Sequence, residues 1–136
     1  MDQQEINQFL ADTRIAVMAT LNRDGSPQLT PNWYYYDGTQ LTFITTKERT
    51  KFFNLRRDSR ISVCICDSPL ASEYVVIRGH ASIRDGGRDE GFWEDARHIV
   101  NRYVEPERVD DIIERWKTEP RILVTVTPER VYTRSR

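Results

Sequence analysis

SPQLTPNWYYYDGTQLTFITTKERTKFFNLRRDS, from Ser26 to Ser59, changes its period along its length. Between Ser26 and Tyr36 the residues alternate. Gln28, Thr30, Asn32 and Tyr34 fall on one side, and Leu29, Pro31, Trp33 and Tyr35 on the other, which is the spacing of a strand. Asp37-Gly38 is a hairpin signal, and QLTFITT (Gln40 to Thr46) reads as the returning strand. From about Glu48 to Arg57 the spacing turns helical, with Phe52, Leu55 and Arg56 on adjacent turns. The order predicts an antiparallel meander that meets a short helix at a charged corner.

On the N-terminal side, RIAVMATL (Arg14 to Leu21) is short and nearly all apolar, which predicts a buried strand, and NRDGSP (Asn22 to Pro27) predicts a turn. Asp2 is placed to cap a helix whose apolar face is Ile6, Phe9 and Leu10. On the C-terminal side, RISVCICD (Arg60 to Asp67) buries Ile61, Val63 and Ile65. EYVVIRGHASIRD (Glu73 to Asp85) is a long strand with Val75, Ile77, Gly79, Ala81 and Ile83 on one face, where Gly79 permits a bend or bulge. After the loop DGGRDEG, Phe92, Ala96, Ile99, Val100 and Tyr103 form one helical stripe. Glu105-Pro106 breaks it, and Val109, Ile112, Ile113 and Trp116 form a second. Both stripes read as core or interface. RILVTVTPERVYT (Arg121 to Thr133) is a last strand, interrupted at Pro128. The expected class is mainly β, α+β: six antiparallel strands and about four helices. Apolar content on both sides of Arg14–Leu21 and Arg60–Asp67 suggests a small barrel.

The 136 residues predict a single domain spanning 1–136, and 38% apolar residues suffice for one modest core. There is no apolar run of membrane-spanning length. The opening Met-Asp-Gln-Gln-Glu is not a secretory leader. Twenty Lys plus Arg against 21 Asp plus Glu leave a net charge of −1, which argues against a nucleic-acid binder. Cys64 and Cys66 are the chain's two cysteines, badly spaced for a mutual disulfide and without the partners of a zinc site. They read as small core residues of a cytoplasmic protein.

Against that balance, Lys47, Arg49, Lys51, Arg56, Arg57 and Arg60 crowd one segment, with Thr45, Thr46 and Thr50 among them. A strand ending near Thr45 followed by a helix leaves unpaired N–H groups and a positive dipole end, where an anion is stabilised. Arg49, Thr50 and Lys51 are suited to a phosphate there. The alternative is a solvated charged face, with Arg56, Arg57 and Arg60 paired to Asp58 or Asp67. Neither G-x-G-x-x-G nor G-x-x-x-x-G-K-[ST] occurs, so a dinucleotide fold and a P-loop are both excluded. Pro31 marks an edge or bulge beside Thr30, Asn32 and Trp33, a place where a flat conjugated ring fits; Tyr34, Tyr35 and Tyr36 read as packing residues. His80 and His98 lie on different elements with no nucleophile pattern near them, so no catalytic constellation and no metal site is assigned.

D-G-S-P at Asp24–Pro27, the strand through Trp33, R-T-K at Arg49–Lys51 and N-L-R-R-D at Asn54–Asp58 occur in an order that resembles the flavin-binding split-barrel superfamily. That superfamily includes the pyridoxamine 5′-phosphate oxidases, and the chain is most similar to its small flavin/deazaflavin-dependent oxidoreductases. The likeness runs from Ile6 to about Ile83 and returns in the last strand. It implies a six-stranded split barrel, a homodimer with cofactor at the subunit interface, and hydride transfer to or from a small organic substrate. By position, Arg49, Thr50 and Lys51 would hold the cofactor phosphate, while Thr30, Pro31, Asn32, Trp33, Thr45 and Thr46 would line the tricyclic ring. Coenzyme F-420 is preferred over FMN, with Lys47, Arg56, Arg57 and Arg60 available to its acidic tail. Pyridoxamine 5′-phosphate oxidase activity itself is not expected, because those enzymes are longer and carry a C-terminal extension. The alternatives are an FMN-dependent enzyme like the pyridoxamine-phosphate oxidases, a non-catalytic flavin or haem carrier, and a small single-strand-binding barrel.

Overall fold

The computed structural model describes residues 1–87 and 89–135; Arg88, in the predicted DGGRDEG loop, lies outside them. The chain runs α1 (Gln3–Ala11), β1 (Ala16–Leu21), β2 (Pro27–Asn32), β3 (Tyr35–Tyr36), β4 (Leu41–Thr46), α2 (Thr50–Arg57), β5 (Arg60–Cys66), β6 (Tyr74–Asp85), α3 (Glu90–Val100), α4 (Pro106–Trp116) and β7 (Arg121–Arg134). Asp2 caps α1 through a reciprocal pair with Glu5, as the sequence predicts.

There are seven strands among the described residues, not six. The expected strand from Ser26 to Tyr36 divides at Trp33-Tyr34. β2 pairs with β1, whereas β3 pairs with β4 across the Asp37–Gln40 turn. The sheet order is β2-β1-β5-β6-β7-β4-β3, so β2 and β3 are its two edges although only two residues separate them in the chain. The sheet therefore curls, and the crossing at Trp33-Tyr34 spans the gap between its edges. One apolar cluster proves the curl: it unites Ala16 and Met18 of β1 with Leu41 and Phe43 of β4, four places apart in the order.

Tyr34 fixes that crossing. Its side chain is fully buried, its hydroxyl donates to Leu10 O at 2.8 Å, and burial pushes its phenol up to about 12. Tyr34 and Tyr36 pack the barrel, and Tyr35 packs against the cluster on its other side. On the other side of β4 and β7, α3 and α4 lay Phe92, Ala96, Ile99, Val109, Ile113 and Trp116 over Ile44 and Leu123. Both helical stripes are core.

Two expectations fail on the uncovered outer face of β1 and β5. Val17 is 40% exposed and Ile15 47%, so β1 buries one side only. Cys64 and Cys66 are exposed, because Ile61, Val63 and Ile65 take the inner face and strict alternation sends the cysteines outward. The interruption foreseen near Pro128 is a register shift, opposite Arg78/Gly79, in an otherwise continuous β7. A Cβ on Gly79 would run into the Thr127 carbonyl, so only glycine lets β6 and β7 approach so closely here.

Candidate functional site

The curl sets the edge strand β2 facing the end of β4 and the start of α2. Between them lies a cavity of ≈ 480 Å³ lined by Thr30, Pro31, Asn32, Thr45, Arg49, Thr50 and Lys51, together with Gln28, Ile44, Glu48 and Arg121. Seven of the nine residues assigned from the sequence meet here. Trp33 lines an adjoining cavity, and Thr46 is buried behind the corner, where its Oγ1 accepts from Glu48 N at 3.3 Å.

The N-terminus of α2 has an unusual beginning. Arg49 occupies the capping position, which usually falls to Ser, Thr, Asp or Asn, and no side chain caps the helix. Phe52 N bonds Arg49 O, but the N–H groups of Thr50 and Lys51 find no backbone acceptor. Lys51 is 7% exposed, and no carboxylate pairs with it among the described residues. A buried ammonium without a counter-charge is costly. Burial first, then Arg49 and Arg121, push its pKa below the usual lysine range. Two buried polar atoms around the same cavity, Gln28 Oε1 and Arg121 Nε, also lack a hydrogen-bond partner among the described residues. An anion with several oxygens at this corner would answer the helix end and Lys51 together. The residues present fit a phosphoryl group.

The depressed Lys51 has a consequence that can be measured. The unfolded chain holds its lysine proton to higher pH than the folded one, so stability rises with pH between the folded and unfolded pKa values. A bound anion draws the proton back. Inorganic phosphate will therefore bind with proton uptake in an alkaline window just below the ordinary lysine range. Calorimetry in buffers of different ionisation enthalpy will detect it. The uptake disappears in Lys51→Met; equal uptake in that variant would show that Lys51 is not the group.

Arg121 is the residue that sequence reading misses. It starts β7, far along the chain, and reaches the corner because β7 pairs with β4 (Thr46↔Arg121). No local motif signals it. The remaining basic residues are engaged elsewhere. Lys47 pairs with Asp85 and Arg60 with Asp58. Arg57 donates to Leu21 O and Asn54 Oδ1. Arg56 lies over the Phe52 ring. His80 does have a serine beside it: Ser59 Oγ is 2.8 Å from Nδ1, and Glu129 lies 3.0 Å from Nε2. All three are on the exposed outer face and line no part of the corner.

A curled antiparallel sheet whose edge strand faces the start of a short basic helix defines a protein of the split-barrel class. The model of the pyridoxamine 5′-phosphate oxidase family matches residues 2–135, and the chain belongs to that family. Among solved structures it is similar to the conserved hypothetical protein Rv2991 from Mycobacterium tuberculosis, with TM-score 0.82 and 25% identity over 99% of this chain and 85% of that one. It also resembles an F420 reductase, with TM-score 0.73 and 21% identity over 93% and 94% of the two chains. General Stress Protein 26 from Bacillus anthracis superposes with TM-score 0.70 at 17% identity, over 97% and 92%. Among the described residues no helix is long and apolar enough to cross a membrane.

Proposed function

We propose that the protein is an oxidoreductase moving a hydride between a bound tricyclic cofactor, coenzyme F-420 or FMN, and a small organic substrate. The observation that carries this is Lys51: a buried cation with no counter-charge among the described residues, in a cavity at an uncapped helix start and beside an edge strand. Arg49, Thr50 and Lys51 hold the phosphate through a guanidinium, a hydroxyl, an ammonium and two free backbone N–H groups. β2 is a sheet edge, so outward backbone groups at Thr30–Asn32 other than the Thr30 carbonyl can bond the rim of a flat ring, with Pro31 contributing no N–H. Asn32 Nδ2 bonds Thr30 O and Oγ1 and stiffens this stretch. The cofactor, when bound, supplies the hydride chemistry. The protein anchors it, orients it and excludes water. Glu48 is the one carboxylate among the residues lining the two adjoining cavities, so acid–base chemistry by side chains plays little part.

F-420 remains the preferred cofactor by likeness to the deazaflavin-using members. Lys47 and Arg60, paired with Asp85 and Asp58, are not free to meet its acidic tail. Titrating FMN and F-420 separately, followed by fluorescence, ranks them; binding of neither would end the proposal. Turnover of reduced cofactor with enones, quinones and tetrapyrroles separates an enzyme from a carrier.

The working unit is proposed to be a homodimer with the cofactor at the subunit interface. The outer face left bare by the helices carries the cross-strand row Pro31–Val17–Cys64–Val76–Tyr132, which begins at the corner itself. Val17 and Tyr132 are 40% and 43% exposed. A contiguous apolar strip of this kind marks an association surface. Val17→Glu will raise the dimer dissociation constant at least about tenfold, because a carboxylate there must be desolvated. Sedimentation velocity over a concentration series reads the change. An unchanged dimer would place the interface elsewhere.

A further inference from the structure

Arg121 holds a capacity that the phosphate anchor leaves unused. Its Nη2 donates to Glu119 Oε2 at 2.8 Å, and its guanidinium lies over the Trp116 ring at 4.4 Å. Its Nε is buried with no partner among the described residues. The residue stands at the seam of two cavities: the polar corner, and a second one of ≈ 530 Å³. Pro31, Asn32 and Ile44 are common to both, while Ile15, Trp33 and Trp116 belong to the second alone.

The walls of this second cavity are stiff and flat. Trp33 stacks on Tyr103 with ring centroids 5.0 Å apart and planes 4° from parallel. Tyr103 is tied down by its hydroxyl, which donates to Arg14 O. Trp116 stands 6.4 Å from Trp33. Trp93 donates its indole N–H to Gly87 O, but the indole N–H groups of Trp33 and Trp116 form no hydrogen bond among the described residues. Among the described residues, Arg121 Nε and these two indole N–H groups thus have no acceptor. No Asp or Glu is among the lining residues. Apolar and aromatic walls, with a guanidinium that pairs with Glu119 through one nitrogen only, fit a flat, anionic, conjugated molecule, and the volume suits a small-molecule site.

We infer that this cavity is the substrate subsite, and that it takes a planar conjugated carboxylate, with the carboxylate on Arg121 and the ring system against Trp33 and Trp116. The inference rests on the proposed cofactor position, since a ring held along β2 would border this cavity at Pro31 and Asn32. Glu119 and Trp116 are positioning residues that fix the guanidinium plane.

The probes are 2-naphthoate and its neutral counterpart 2-naphthylmethanol, titrated calorimetrically into the whole protein with and without FMN. The acid is expected to bind at least about tenfold tighter than the alcohol. FMN should leave the acid's affinity within about threefold, because the two occupy different cavities. Arg121→Gln should abolish the preference for the acid while sparing the alcohol. NOEs from the naphthyl protons should reach the indoles of Trp33 and Trp116. Equal binding of acid and alcohol overturns the inference, as does displacement of the acid by inorganic phosphate, or loss of FMN affinity but not acid affinity in Arg121→Gln. If that variant fails to fold, the acid–alcohol comparison and the NOEs on the wild type still decide. Tight, Arg121-dependent binding of the acid by a protein that binds neither FMN nor F-420 would keep the subsite and discard the cofactor reading.

Discussion

Changing Arg49 and Lys51 together to alanine will lower affinity for FMN and F-420 about a thousandfold, near 4 kcal/mol. Each charge-assisted bond to a phosphate oxygen contributes roughly 1.5–3 kcal/mol. The two residues act from different surroundings: Arg49 is exposed at the capping position, and Lys51 is buried below it. Lys51→Ala alone should therefore have the larger effect. The variant carries a second signature. Because Lys51 has no carboxylate partner among the described residues, its removal relieves a desolvated charge. The double variant without ligand should melt at or above the wild-type temperature while failing to bind. A variant that binds like wild type would mean that the phosphate lies elsewhere. One that loses binding and melts much lower would mean that Lys51 is a structural prop.

Gly79→Ala is the largest expected effect on stability. The added methyl group would meet the Thr127 carbonyl, stand 2.9 Å from its carbonyl carbon, and lie 3.2 Å from Pro128 Cα. These are backbone atoms of the neighbouring strand, so no side chain can swing aside. β6 and β7 lie in the interior of the sheet order, and separating them strains every strand beyond. The expected cost is about 3 kcal/mol, which lowers the melting temperature by roughly 10 °C. Gly25→Ala is the contrast: its Cβ meets nothing within 4 Å, so only the left-handed backbone (φ +84) opposes it. That costs roughly 1 kcal/mol. Similar melting temperatures for the two variants would contradict the close approach described at Gly79.

Local signals carried much of this architecture. The alternation from Gln28 to Asn32, the Asp37-Gly38 turn, the two helical stripes and the Asp2 cap are all short-range patterns, and each appears in the structure. What failed depends on partners distant in the chain. The division of one strand into β2 and β3 follows from closing the curl, which no window around Trp33 reveals. The exposure of Cys64 follows from which outer face α3 and α4 cover, and they cover β4 and β7 rather than β5. At the corner, Arg49, Thr50 and Lys51 were legible because they open a single helix, while Thr30 to Asn32 were legible from the proline-bearing edge pattern. Arg121 was not, since only the β4–β7 register brings it there. The pairing of Arg60 with Asp58 was legible as a local possibility, whereas Lys47 and Arg57 find Asp85 and the Leu21 carbonyl far along the chain; in the basic run Lys51 is buried with no carboxylate partner among the described residues.

The account turns on one corner, between Thr30–Asn32 of β2 and the first turn of α2. A crystal structure of the wild-type protein with FMN or F-420 tests it most directly. The account predicts phosphate oxygens within hydrogen-bond distance of Lys51 Nζ and the Thr50 and Lys51 N–H groups, with the ring lying along β2. A cofactor phosphate bound anywhere else, with Lys51 still unpaired, would contradict it.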